Sequence, residues 1–230
     1  MHHAYLSLNN LSNFGALFLD LSKAFDCVNH TLLLQKLWCY GFRGVSQSLL
    51  SSYLNNREQF VTINDFESEK YPIVRGVPQG SVLGPLLFIL YINDLKNCLV
   101  DSTAVIYADD TVFFSNHLDV DALCNKLSRD LENVIGWLNL NYLTLNLNKT
   151  KFVIFTYQNL PINLSLTVFN ETIYRSESVN FLGVLLDYKL TFSIHIKSIL
   201  SKVSRIQGLF YRLSEFLPKF LLLKLNYFIF

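Results

Sequence analysis

A chain of 230 residues with 51% hydrophobic and 14% aromatic residues has ample material for a packed core, which excludes a disordered segment and allows one large domain or two small ones. The net charge of +1 points to no polyanionic partner by itself, but its distribution is uneven. Residues 188–230 carry seven Lys/Arg (Lys189, Lys197, Lys202, Arg205, Arg212, Lys219, Lys224) against Glu215 alone, which leaves a net −5 on the first 187 residues.

That basic segment reads either as a grip on a phosphate backbone beside an acidic site or as a solvated helix face. The longest apolar run, residues 82–92, includes Gly84 and Pro85 and falls short of the roughly 18–20 residues of a membrane span, so no membrane partner is expected. Cys27, Cys39, Cys98 and Cys124 show no ligand spacing and read as buried, reduced thiols. With no secretory signal after Met1-His2-His3, the expected setting is intracellular.

In chain order, residues 16–20 read as a strand closing on Asp20. Residues 31–38 look helical and stop at Gly41; a second helix runs from Ser46 as N-cap to about residue 55. Residues 59–63 alternate, Asn64-Asp65 offers a turn, and residues 71–74 are strand-like. A Gly/Pro-punctuated segment, 75–85, then leads into a very apolar helix that starts at Pro85, ends near residue 95 and is buried on most sides.

Residues 105–107 and 111–114 flank Asp109-Asp110 as a hairpin with both carboxylates at its tip. Asp119 or Asp121 caps a helix with Leu123, Leu127, Leu131, Val134, Ile135 and Leu138 on one stripe. Strands follow at 143–147, 152–155, 164–169, 171–174 and 179–186. A long amphipathic helix then starts near 191–193, with His195 in a structural role, and runs to Pro218. Irregular alternation of strands and helices gives an α+β fold, an antiparallel sheet with helices packed on one face.

An adjacent aspartate pair alone is an ordinary turn feature. Asp20, at the end of another strand-like run, changes the reading. Carboxylates gathered at the ends of buried strands repel one another and are poorly solvated, so they call for a cation. Hard oxygen ligands suit Mg²⁺ or Mn²⁺, and the expectation is a two-metal phosphoryl-transfer site built on Asp20, Asp109 and Asp110. Asp110 ranks as the secondary ligand, because strand alternation points neighbours of Asp109 away. Asp26 reads as a residue of a helix N-terminus.

Three segments, in this order, carry a resemblance: Phe18-Leu19-Asp20-Leu21-Ser22-Lys23-Ala24-Phe25-Asp26, then Arg75-Gly76-Val77-Pro78-Gln79-Gly80-Ser81-Val82-Leu83-Gly84-Pro85-Leu86, then Tyr107-Ala108-Asp109-Asp110. The chain from Ala16 onward resembles the reverse transcriptase domain of non-LTR (LINE-like) retrotransposons. The resemblance implies a polymerase palm with an RNA template, a DNA primer and deoxynucleoside triphosphates as partners. It implies that Asp20 and Asp109 bridge two Mg²⁺ (or Mn²⁺) ions and that the Leu21 carbonyl completes the nucleotide-side ion. The backbone of Ser22, Lys23, Ala24 and Phe25 would cradle the triphosphate. The Phe25 ring would act as a steric gate against a 2′-OH, and Gln79 with Gly80 would meet the nucleotide and template. Lys149 or Lys151 would be the general acid for the leaving pyrophosphate, with the choice open. Phe181, Leu182 and Gly183 match the primer grip.

The expected organisation is a palm over residues 1–187, with the fingers largely missing, and a basic helical segment over 188–230 that starts a thumb and is cut short. Only 19 residues precede Asp20, and none is Lys or Arg. A catalytically silent remnant that at most binds nucleic acid is therefore the alternative to an active RNA-directed DNA polymerase. A metal-dependent nuclease would share the carboxylates but would leave Phe25 and the Gln79 loop without a role.

Overall fold

The computed structural model describes residues 2–161 and 163–213. The first half of the chain contains α1 (His2–Asn9), β1 (Asn13–Leu19), α2 (Ala24–Cys27), α3 (His30–Cys39), α4 (Val45–Leu54) and the short strands β2 (Glu58–Gln59), β3 (Thr62–Ile63), β4 (Phe66–Glu67) and β5 (Tyr71–Pro72). Next come α5 (Leu83–Ile92), a 3₁₀ turn at Asn93–Cys98, β6 (Thr103–Tyr107), β7 (Asp110–His117), α6 (Val120–Leu140) and β8 (Lys151–Phe155). The chain continues through β9 (Ser165–Val168), β10 (Glu171–Tyr174), β11 (Ser178–Phe181), β12 (Val184–Asp187) and α7 (Ser193–Leu213).

The centre is a four-stranded antiparallel sheet of order β6-β7-β1-β8. β1 lies between β7 and β8, so its side chains meet neighbours on both edges and both faces. Its alternation divides the core. Leu17 and Leu19 face the helical side with Phe113 of β7 and Phe152 and Ile154 of β8, whereas Phe14, Ala16 and Phe18 face the other side with Val112 and Phe114.

The α6 stripe of Leu123, Leu127, Leu131, Val134 and Leu138 is buried on the first face, and α3 and α5 complete that layer. Asp119 is the N-cap of α6, its carboxylate accepting the Ala122 N–H at 2.9 Å. α6 crosses β1 at Gly15, where a Cβ would stand 2.6 Å from Leu127 Cδ1, so the close approach requires glycine.

The opposite face is covered by α1, through Ala4 and Leu8, and by the β11–β12 hairpin, through Val179 and Leu186. The sequence reading had no helix at 2–9. Its weak amphipathicity hides a helix that only the sheet face beneath it stabilises. α4 begins one residue before the expected cap, with Gly44 at the N-cap. α5 leaves Leu86 and Ile89 exposed, so it is covered on fewer sides than its composition suggests. Residues 143–147 make only a single bridge, Leu145 to Leu21. Residues 58–72 form two short ladders, β2–β5 and β3–β4, whose tip at Asn64-Asp65 has positive φ at both residues, the I′ geometry of a two-residue hairpin. Cys39 is exposed rather than buried, and Cys27, Cys98 and Cys124 are half-buried. Of the basic helical segment expected over 188–230, residues 214–230 lie outside the described residues.

Candidate active site

Asp20 follows Leu19, the last residue of β1, and Asp110 opens β7. Leu19 pairs with Thr111, so the next step along the two strands brings Asp20 level with Asp110. Residues opposite one another across an antiparallel pair share a face, here that of Phe18 and Val112. The β6–β7 hairpin closes at Tyr107 and Asp110 around Ala108-Asp109. Ala108 has φ +53° and Asp109 is absent from the left-handed region, the pattern of a II′-type turn. Asp109 thus sits at the tip, and Asp110, not Asp109, is the in-strand neighbour of Asp20. The strand alternation that governs the pair thus runs through Asp110, because Asp109 belongs to the turn.

Leu21 pairs with Leu145 in an isolated antiparallel bridge. The flanking bonds, Ser22 N–H to Thr144 O at 2.9 Å and Asn146 N–H to Asp20 O at 2.8 Å, make this a non-hydrogen-bonded pair. The N–H and C=O of Leu21 therefore point away from Leu145, toward the side on which β7 lies.

A cleft of about 330 Å³ opens between this end of the sheet and the β11–β12 hairpin. Asp20, Asp110, Lys149, Lys151 and Phe181 line it. Lys149 Nζ stands 3.9 Å from Asp20 Oδ2, both groups being largely solvated. Asp110 is exposed at the rim, yet its carboxyl is pushed above the usual range, first by desolvation and then by the charges of Asp109 and Asp20. Thr111 Oγ1 is buried and has no hydrogen-bond partner. Among the described residues no three His, Cys, Asp or Glu side chains form a ready-made metal cluster. The donor chemistry nonetheless fits a hard cation: three carboxylates at one sheet end, one of them disfavoured by its neighbours, and a main-chain carbonyl on the same side.

The Gln79 loop borders a separate cleft of about 430 Å³, lined also by Asp26, Arg57 and Arg75. Gln79 Nε2 donates to Asp26 Oδ1 at 2.7 Å. Gly76 has φ +87°, and its backbone lies so close to that of Asp26 that an added Cβ would meet Asp26 Cα at 3.0 Å. Asp26 lies in α2, as its sequence setting suggested, but its partnership with Gln79 is invisible locally, since 53 residues separate the two. Phe25 is half-buried and stacks on the fully buried Phe88 with centroids 4.5 Å apart.

Of the expected cradle, the Ser22 N–H is already committed to Thr144 O, and Lys23 adopts the left-handed conformation that opens α2. The Phe181-Leu182-Gly183 segment is a tight turn with positive φ at Leu182 and Gly183, and the Phe181 ring meets Phe18 edge-on at 5.3 Å. His195 lies in α7, where its Nδ1 accepts the Leu185 N–H at 3.3 Å, a bond that ties helix to hairpin.

Residues 5–186 match the family model described as reverse transcriptase (RNA-dependent DNA polymerase). The chain belongs to the reverse transcriptase family. It is 32% identical over 204 residues to the RNA-directed DNA polymerase from mobile element jockey of Drosophila melanogaster, an alignment covering 84% of this chain and 22% of that protein. It is 31% identical over 198 residues to the probable RNA-directed DNA polymerase from transposon BS of the same species, covering 80% and 21%. These relatives place this reverse transcriptase chain in the non-LTR retrotransposon branch, and it spans about a fifth of their length.

Among solved structures, a Candida tropicalis telomerase in complex with a fragment of telomeric RNA matches with a TM-score of 0.56 at 14% identity, covering 84% of this chain and 31% of that one. The Candida albicans telomerase complex gives 0.58 at 15%, covering 83% and 33%. At such identities the likeness concerns the fold, and that fold is the palm-like α+β arrangement of a reverse transcriptase. Among the described residues no helix is long and apolar enough to cross a membrane.

Proposed function

We propose that this chain is the palm of an RNA-directed DNA polymerase, extending a DNA primer on an RNA template from deoxynucleoside triphosphates inside the cell. The observation that carries the reading is the level placement of Asp20 and Asp110, with Asp109 at the adjoining tip, in a cleft shared with Lys149, Lys151 and Phe181. Residues 1–187 form the palm in this reading, and the basic stretch 188–230, helical over Ser193–Leu213, leads toward a thumb. Two divalent ions, Mg²⁺ or Mn²⁺, held by Asp20, Asp109, Asp110 and the Leu21 carbonyl, would supply activation of the primer hydroxyl and neutralisation of the leaving pyrophosphate.

The chain's own groups do the rest. Phe25, braced on Phe88, presents a fixed ring edge as the gate against a 2′-OH. The amides of Lys23, Ala24 and Phe25 face the triphosphate, and Gln79 and Gly80 meet the nucleotide and template. Lys149, the lysine nearer Asp20, delivers a proton to the departing pyrophosphate, and Lys151 lines the wall beside it. The Phe181-Leu182-Gly183 turn holds the primer end.

Primer extension on a poly(rA)/oligo(dT) duplex with Mg²⁺ or Mn²⁺, beside an Asp109→Asn control, tests the reading. Extension by the natural chain and none by the variant is the expected result. Equal extension by both would refute the metal site, and cleavage in place of extension would make the chain a nuclease. A folded chain that binds the duplex without extending it would be the silent remnant.

A further inference from the structure

We propose that Asp26 is a positioning residue that sets the orientation of the Gln79 amide, turning Gln79 Oε1 outward as an acceptor for a donor group of the incoming nucleotide. The proposal deepens the polymerase reading and rests on it for the nucleotide.

A glutamine amide has two nearly isosteric orientations, one presenting NH₂ and the other C=O to a given side. An ionised carboxylate only accepts, so it tolerates one of them. With Asp26 Oδ1 at 2.7 Å from Gln79 Nε2, the NH₂ is held against Asp26 and the carbonyl is directed away from it. The reversed amide would set two acceptor oxygens against each other.

Both side chains are exposed, and an exposed hydrogen bond between free side chains would be weak. Here the main chain brings them together beforehand. Val77 N–H donates to Phe25 O at 2.9 Å and Gly76 N–H donates to Val28 O at 2.8 Å, so the two segments are joined on both sides of Asp26. The buried His30 ring bonds the Gly76 carbonyl through Nε2 at 2.7 Å. The left-handed Gly76 lets the two segments approach to a distance at which a Cβ would crowd the Asp26 backbone. Little conformational freedom is then left to lose when the Asp26–Gln79 bond forms, which is the condition under which such a bond fixes an orientation.

The consequence for catalysis is specific. Asp26 lines the Gln79 cleft and is not among the residues lining the carboxylate cleft. Its removal therefore changes nucleotide capture and leaves the chemical step alone.

The test uses the whole 230-residue chain with Asp26→Ala, Asp26→Asn, Gln79→Ala and the double variant Asp26→Ala/Gln79→Ala, each first shown to melt cooperatively. In primer extension, Asp26→Ala should raise KM for the deoxynucleotide about tenfold with kcat within about twofold. Asp26→Asn, whose Oδ1 still accepts, should restore most of the affinity. In the Gln79→Ala background the Asp26→Ala change should have no further effect. A full Asp26→Ala effect without Gln79, or an Asp26→Asn variant as impaired as Asp26→Ala, overturns the proposal.

A second readout needs no turnover: the side-chain amide resonance of Gln79 in ¹⁵N-glutamine-labelled protein, assigned by its loss in Gln79→Ala. It should move to the free-amide position in Asp26→Ala and hold in Asp26→Asn. An unmoved resonance overturns the positioning role, whereas absent extension by the natural chain overturns the polymerase reading and leaves the amide result to stand.

Discussion

Asp187 and Asp110 each occupy a strand end and face opposite circumstances. Asp187, the last residue of β12, accepts the N–H groups of Lys189, Thr191 and Phe192 and the Thr191 hydroxyl, at 2.7–3.1 Å. Burial pushes its carboxyl up, but these donors outweigh burial and hold it below the usual carboxylate range. Asp110 is pushed the other way by desolvation and by two like charges. Asp130 belongs with Asp187: fully buried in α6, it accepts the Val100 N–H at 2.8 Å and the Asp101 N–H at 3.0 Å. The difference teaches how to read an aspartate in this fold. A carboxylate surrounded by backbone donors ends a loop or opens a helix; carboxylates that face one another are, in the proposed polymerase reading, the ones a cation would join.

The largest expected effect tests the functional half of that contrast. Asp110→Asn should reduce primer extension by at least about 10²-fold while leaving stability unchanged or slightly raised, since it removes one of three mutually repelling charges. Extension assays paired with thermal melts check this. A variant that lost its fold together with its activity would move Asp110 into the structural class.

The structural half gives the next two effects. Asp130→Ala leaves two buried N–H groups without acceptors and should cost about 3 kcal/mol. Its melting temperature should fall by about 6–12 °C on the scale expected for a domain of this size. Asp187→Ala should cost about 1–2 kcal/mol, because its donors lie nearer solvent and water replaces part of the loss. Urea unfolding orders the two variants, and the reverse order would contradict the burial argument.

Much of this was legible in the sequence because it is local. The α6 stripe, the Asp119 cap, the Asn64-Asp65 turn and the aspartate hairpin each declare themselves within a few residues. What stayed hidden depends on pairing across the chain. Which aspartate of the Asp109-Asp110 pair stands beside Asp20 follows from the β1–β7 register, which no local alternation fixes. The Asp26–Gln79 bond and the engagement of the Ser22 amide by Thr144 join segments that are remote in sequence. Lys149 and Lys151 are equivalent as a sequence pattern; they separate only because the turn before β8 carries one of them to within 3.9 Å of Asp20. The α1 helix was missed because its stability comes from the sheet face it covers.

The smallest effect is the one that divides the two aspartates by sign. Asp187 has a lowered carboxyl in the fold, so its stabilisation is complete above the ordinary value of 3.8 and is lost as pH falls through the lowered one. Asp110 has a raised carboxyl, so between 3.8 and its raised value the folded chain keeps a proton that the unfolded chain has released. Stability contributed by Asp110 therefore declines as pH rises through that window and stays lost above it. Urea unfolding of Asp187→Asn and Asp110→Asn from about pH 3 to pH 7 should show stability differences from the natural chain that drift in opposite directions. Asp187→Asn should fall further behind as pH rises, because the natural chain gains a stabilised carboxylate that the variant lacks. Asp110→Asn should catch up or overtake, because only the natural chain acquires the repelling charge. A common direction for both would mean that Asp20 and Asp109 do not act on Asp110 at this sheet end, and the case for a cation-seeking cluster would lose its electrostatic basis.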